Sequence, residues 1–199
     1  MILTSTTFAE GALIPPRCAY GRVGPAGETA PSDNLNPQLA WSGAPEGVRS
    51  WLLCCLDDDV PQDFNGRDLS GEMPASMARR RFVHWVQADI PAEVTSIAEG
   101  ELSNERKLAP GFGRGGINDY AGGGVPEEGA VGTGYDGPCP PAVDRRSHYY
   151  HFIVCALDVE RLELPARFTW SDAEKAMAGH VLATAELVGR YTLNPSMQQ

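Results

Sequence analysis

The 199-residue sequence predicts a mainly β protein built around an antiparallel sheet. Two observations carry that expectation. Three segments, Ser50 to Leu56, Phe82 to Ile90 and Tyr149 to Leu157, are dense in aromatic and β-branched residues and are bounded by turn formers. Helical signals gather in one stretch near the C-terminus, too few for alternating βαβ units. The length suits a single domain over residues 1–199, able to bury roughly two-thirds of its unfolded surface.

Leu39 to Trp41 is a short strand candidate ahead of the first long one. The run "SWLLCCL" is almost wholly apolar, the pattern of a strand covered on both faces. Its adjacent Cys54 and Cys55 should then point to opposite faces. Three acids and a proline end the run ("DDDVP"), which places Asp57 and Asp59 on one side of the strand's end. Residues 63–80 are polar, with Gly, Pro and Asn, and read as a loop, and Arg79 to Arg81, beside the next apolar strand, form an edge or loop charge block. "FVHWVQADI" is a second buried strand with His84 inside it.

Residues 109–141 are dominated by glycine and proline, and so long a loop in a compact domain points to function or disorder. Within it "GFGRGG" has the letters of a dinucleotide-binding fingerprint, but it follows Pro110 rather than a strand and opens no helix, so it reads as a glycine loop. Alternation in the third strand puts His148 and Tyr150 on one face and Tyr149 and His151 on the other, so the two histidines are not a metal pair. A helix is expected from Ser171, whose "SDAE" forms a capping box with Glu174, to Gly189. Met177, Val181, Ala185 and Val188 supply its apolar stripe, and His180 is a packed or capping side chain. Thr192 to Leu193 is a last short strand candidate.

The formal charge of −10 argues against a nucleic-acid partner, since no basic stripe exists to neutralise phosphates. No run approaches the ~18 apolar residues of a membrane span, and the first residues lack the basic and apolar regions of a signal peptide. Five cysteines show no zinc spacing and no C-x-x-C, which reads as reduced thiols in a cytoplasmic protein. No cofactor, zinc or calcium is expected, and no activated Ser or Cys nucleophile is recognisable.

The acids at the end of the first long strand need hydrogen-bond donors if buried, and the strand histidines are candidates to supply them. The segments "PEGVRSWLLCCLDDDVP", "FVHWVQADIPA", "GYDGPCPP" and "SHYYHFIVCALD" together resemble the phosphatidylethanolamine-binding protein family, in its bacterial Raf-kinase-inhibitor-like branch. The likeness runs from about residue 8 to about residue 195, in family order. It implies a central antiparallel sheet, a smaller second sheet and one or two peripheral helices. It also implies a small anion-binding pocket made by Asp57, Asp59, Pro61, His84, Gly137, Pro140, Pro141, His148 and Tyr150, with Tyr135 in the adjacent loop. Three positions depart from the family pattern: Asp58 replaces a proline, Arg146 a glycine, and Tyr149 an arginine. The segment "GGGVPEEGAVGTG" resembles an insertion that could cover the pocket's mouth.

The function this implies is binding of a small anionic ligand or phospholipid head group, with His84 and His148 donating hydrogen bonds and Asp57 orienting an imidazole. With no Lys or Arg among these residues, imidazole protonation would supply the positive charge, favouring anions at mildly acidic pH. The alternative is an enzyme using the same residues for acid–base chemistry, as an isomerase, lyase or cyclase. The resemblance further implies a homodimer and a modulated protein partner that the sequence does not name.

Overall fold

The computed structural model describes residues 1–103, 111–122 and 132–197; most of the glycine-rich segment after Gly122 lies outside them. Ten strands run through the described residues: β1 (Ile2–Thr4), β2 (Gly21–Val23), β3 (Thr29–Pro31), β4 (Leu39–Ser42), β5 (Ser50–Pro61), β6 (Arg79–Pro91), β7 (Ser96–Ile97), β8 (Arg114–Gly115), β9 (His148–Leu157) and β10 (Val181–Tyr191). One α-helix, α1 (Trp170–Ala176), precedes β10. The central sheet has the order β10-β9-β5-β6-β8 and is antiparallel throughout. A three-stranded sheet, β1-β4-β7, and the β2-β3 hairpin accompany it. This is the mainly β architecture with a large and a smaller sheet that the sequence predicts.

The apolar runs make sense once both faces of the central sheet are covered. On one face Trp51, Leu53 and Cys55 join Trp41, Trp85, Phe152 and Val154 in a core closed by the smaller sheet. On the other, Leu52, Cys54 and Leu56 pack with Val86, Cys155 and Phe168 beneath Ala173 of α1. The neighbouring Cys54 and Cys55 thus belong to different cores, and all five cysteines are free thiols.

Both long strands outrun their apolar stretches. β5 continues through the three acids to Pro61, and β6 begins at Arg79, so Arg79 to Arg81 are strand residues rather than part of the preceding loop. Charged residues extend the ladder here because each of its inter-strand hydrogen bonds is indifferent to the side chain. The glycine loop contributes a strand of its own, β8, which pairs with β6 at Gln87 and Ala88.

The expected helix over 171–189 is corrected. It spans only Trp170–Ala176 and is capped by Thr169, whose side chain and that of Asp172 form the reciprocal capping box in place of Ser171 and Glu174. Gly179, at φ +85°, turns the chain, and residues 181–191 form a strand paired with β9 along nearly its whole length. His180 sits in the turn and meets Asp158 at 2.8 Å. The segment that gave a helical stripe also alternates: Ala185, Leu187, Gly189 and Tyr191 are buried, with more exposed residues between them. Ten ladder positions with β9 decide between the two periods. Thr192 and Leu193 follow β10 as irregular chain. Leu187→Ala should therefore cost about 2–4 kcal/mol in urea unfolding and Val188→Ala less than about 1 kcal/mol. A helix packed through Ala185 and Val188 would reverse that order.

Candidate functional site: a buried aspartate–histidine cleft

Two irregularities in the β5–β6 ladder build the site. Cys55 pairs with Trp85 and Leu56 with Val83, so β6 carries an extra residue, His84, between them. Trp85 consequently enters one core and Val83 the other, leaving His84 free to face a cleft beside the first. Further along, Asp57 pairs with Phe82 and Val60 with Arg80, which leaves an extra residue on β5. The three acids fan out accordingly. Asp57 points into the cleft, Asp58 outward to a two-pronged contact with Arg81 (2.7 and 2.8 Å), and Asp59 toward Arg146 (2.7 Å) and the Tyr149 backbone N–H (3.0 Å). Each departure from the family pattern is thus accounted for locally: Asp58 has Arg81, and Arg146 neutralises Asp59. Tyr149 turns away from the cleft, as alternation predicts.

His148, at the start of β9, is enclosed by carboxylates. Its Nδ1–H donates to Asp57 Oδ2 at 2.7 Å and its Nε2–H to Asp144 Oδ2 at 3.1 Å. Two acceptors require two ring protons, so this is an imidazolium. Arg79 continues the chain by gripping Asp144 at 2.5 and 3.0 Å. All four groups are buried or nearly so. Burial alone would depress the His148 pKa, but the hydrogen bonds to Asp144 and Asp57 raise it to about 9. For Asp57, burial works upward and is outweighed by the hydrogen bond from His148, holding the carboxyl below its usual range. Asp144 is likewise held down against burial by His148 and Arg79. Asp57 Oδ1 also accepts the Asp59 backbone N–H at 2.7 Å.

His84 is oriented from behind. Its Nδ1–H donates to the carbonyl of Asp136 at 2.7 Å, and the Asp136 N–H returns a bond to the His84 carbonyl at 3.0 Å. That tautomer leaves Nε2 facing Asp57 Oδ2 at 3.9 Å, beyond a direct hydrogen bond. The Asp136 side chain, fully buried, accepts from Asn34 Nδ2 (2.8 Å), Asn118 Nδ2 (2.7 Å) and the Gly132 N–H (2.9 Å). Asn118 in turn caps the 3₁₀ turn Asp119–Ala121, which delivers Asp119 and Tyr120 to the cleft wall.

The cleft has a volume of about 290 Å³ and is lined by Asp57, His84, His148 and Tyr150 among aromatic, proline and aliphatic walls. Phe82 and Tyr120 meet edge to face at 5.0 Å, and His84 lies 5.1 Å from the Tyr150 ring. Pro140, Pro141 and Cys139 form one side and Val60 and Phe64 another. The Tyr150 hydroxyl is buried without a hydrogen-bond partner among the described residues, and burial lifts its pKa well above normal, so it stays a donor.

Of the residues expected here, Asp59, Pro61 and Gly137 do not line the cleft. Asp59 is turned to Arg146 by the extra β5 residue. Pro61 ends β5 opposite Arg79. Gly137 is a close-approach position behind the wall, where a Cβ would come within 2.1 Å of the Cys18 carbonyl. Tyr135 is a core residue whose hydroxyl donates to that same carbonyl at 2.7 Å. Sequence reasoning missed Asp144 and Asp136. The one signal for Asp144 is its position four residues before His148, and the loop composition conceals both.

His148 gains a proton affinity on folding, so its contribution to stability is complete below pH about 6.5 and is lost as pH rises through about 9. Asp57 and Asp144, with lowered pKa values, contribute above pH about 3.8 and lose that contribution as pH falls. Urea unfolding should therefore show a plateau between these limits and a decline toward pH 9. In Asp144→Asn the alkaline decline should be smaller and end at lower pH; an unchanged decline would assign it to another group.

Comparison with known proteins places this geometry in a lineage. A model of the phosphatidylethanolamine-binding protein family matches residues 4–192. A UPF0098 protein of Aquifex aeolicus is 33% identical over 171 residues, covering 82% of this chain and 77% of that one. The UPF0098 protein YbhB of Escherichia coli is 30% identical over 197 residues, covering 96% of this chain and 100% of YbhB. The crystal structure of CT736 from Chlamydia trachomatis, described as a putative phosphatidylethanolamine-binding protein homologue, superposes with a TM-score of 0.65 at 30% identity over 95% of each chain. E. coli YbcL shares the fold with a TM-score of 0.68 at 24% identity, covering 96% of this chain and 97% of YbcL. With the family model spanning almost its whole length, the chain belongs to the phosphatidylethanolamine-binding protein family.

Proposed function

We propose that this chain is a binding protein for a small oxygen-rich ligand, an anionic metabolite or the head group of a phospholipid, held in the Asp57–His84–Tyr150 cleft. The observation that carries this reading is the Tyr150 hydroxyl, a buried donor with no acceptor among the described residues, on a side chain that lines the cleft together with His84. A ligand oxygen accepts from Tyr150, and His84 meets a second polar atom of the same group. The aromatic and proline walls exclude water around these bonds. His148 has a different role from the one its sequence position suggests. Both its N–H groups are committed, so it acts through Asp57 rather than by touching the ligand.

The same commitment weighs against acid–base chemistry at His148, leaving His84 as the imidazole with a free nitrogen. Five free thiols support a reducing, cytoplasmic setting, and no helix among the described residues is long and apolar enough to cross a membrane.

Titration calorimetry with inorganic phosphate tests the assignment, with affinity for the wild-type protein of ~0.1–1 mM. Tyr150→Phe should weaken binding roughly two- to tenfold, the worth of one hydrogen bond, while leaving Tm unchanged or raised because no protein partner is lost. Unchanged affinity would assign the anion to a different place on the molecule.

A further inference from the structure

The three consecutive arginines that open β6 differ in what they hold. Arg79 is committed to Asp144, and Arg81 to Asp58 on the outer side of the strand. Arg80 has no carboxylate partner among the described residues; its only hydrogen bond, at 3.4 Å, reaches the carbonyl of Arg81. Alternation puts Arg80 on the face that carries Phe82, and its partner across the ladder is Val60. Both Phe82 and Val60 line the cleft. The guanidinium carbon lies over the Phe82 ring, 5.7 Å from its centroid, and that ring is 4.9 Å from His84.

We propose that Arg80 selects the charge of the ligand, meeting its anionic group at the mouth of the cleft. This rests on the binding reading above and names the kind of molecule bound. Among the described residues the cleft's charged N–H donors are already committed: the N–H groups of His148 are spent on two aspartates, and Arg79 and Arg146 are paired with Asp144 and Asp59. A ligand anion therefore finds the Tyr150 hydroxyl inside and, at the mouth, the Arg80 guanidinium, which has no carboxylate partner among the described residues. A guanidinium offers two parallel N–H groups to a carboxylate or phosphate, and its seat on Phe82 lowers the cost of ordering it. Through the Phe82 ring Arg80 lies within roughly 11 Å of the His84 ring. The ligand class that spans this is a short molecule with a phosphate monoester or carboxylate at one end and a hydroxyl or carbonyl oxygen at the other.

Glycerol 3-phosphate and glycerol form a matched pair that differs in the charged end. In calorimetric titration of the full chain at low ionic strength, Arg80→Gln should bind glycerol 3-phosphate roughly five- to tenfold more weakly than the wild type. Arg80→Lys should retain part of that affinity, and Arg81→Gln all of it. Added salt should weaken the wild type more than Arg80→Gln, and the affinity for glycerol should be the same in both. If Arg80→Gln matches the wild type while Tyr150→Phe weakens binding, the role of Arg80 is overturned and the binding reading stands. If the wild type binds neither inorganic phosphate nor glycerol 3-phosphate, both are overturned.

Discussion

The site depends on one buried imidazolium. Arg79, Asp144, His148 and Asp57 form a line of alternating charges drawn from the start of β6, the loop before β9, the start of β9 and the middle of β5. No member is tolerable without its neighbours, because removing one leaves an unpaired charge away from water at a cost of several kcal/mol. The line also holds Asp57 ionised in the cleft wall and keeps the N–H groups of His148 out of it. The cleft is thereby left with the Tyr150 hydroxyl and the Nε2 edge of His84, beside a line whose own charges alternate and cancel.

Much of the fold was legible from apolar content. The three long strands were found because covering a sheet on both faces leaves runs such as "SWLLCCL" that nothing else in a soluble chain requires. Their ends were not, because Asp57 to Asp59 and Arg79 to Arg81 look like loop residues until their partners across the ladder are known. Residues 177–188 satisfied a helical and an alternating pattern at once. The 10-residue ladder with β9, a contact remote in sequence, decided it.

The site divides in the same way. Alternation correctly separated His148 and Tyr150 from Tyr149 and His151, a local property of one strand. Bulges are not local in that sense. His84 and Trp85 share a face, and Asp57 and Asp59 do not share a partner, because two of the three register shifts in the β5–β6 ladder fall beside them. Family resemblance brought the distant segments together, but not Asp144 or Asp136, whose roles are read only from their hydrogen bonds.

Asp136 has a consequence for how the cleft can admit a molecule. One carboxylate ties residue 34, residue 118 and the turn at 132 together, and the same residue's carbonyl fixes His84. The wall carrying Asp119 and Tyr120 therefore yields only if all of these bonds break together, which makes it a rigid jamb. The opposite wall contributes Phe64 from a loop anchored further along by buried Met73, which pairs through its backbone with Val143 and Arg145, and by surface contacts of Arg145 with Asp68 and Glu72. The two sides of the opening are thus braced differently, one through a single buried carboxylate and the other through separate backbone and surface contacts.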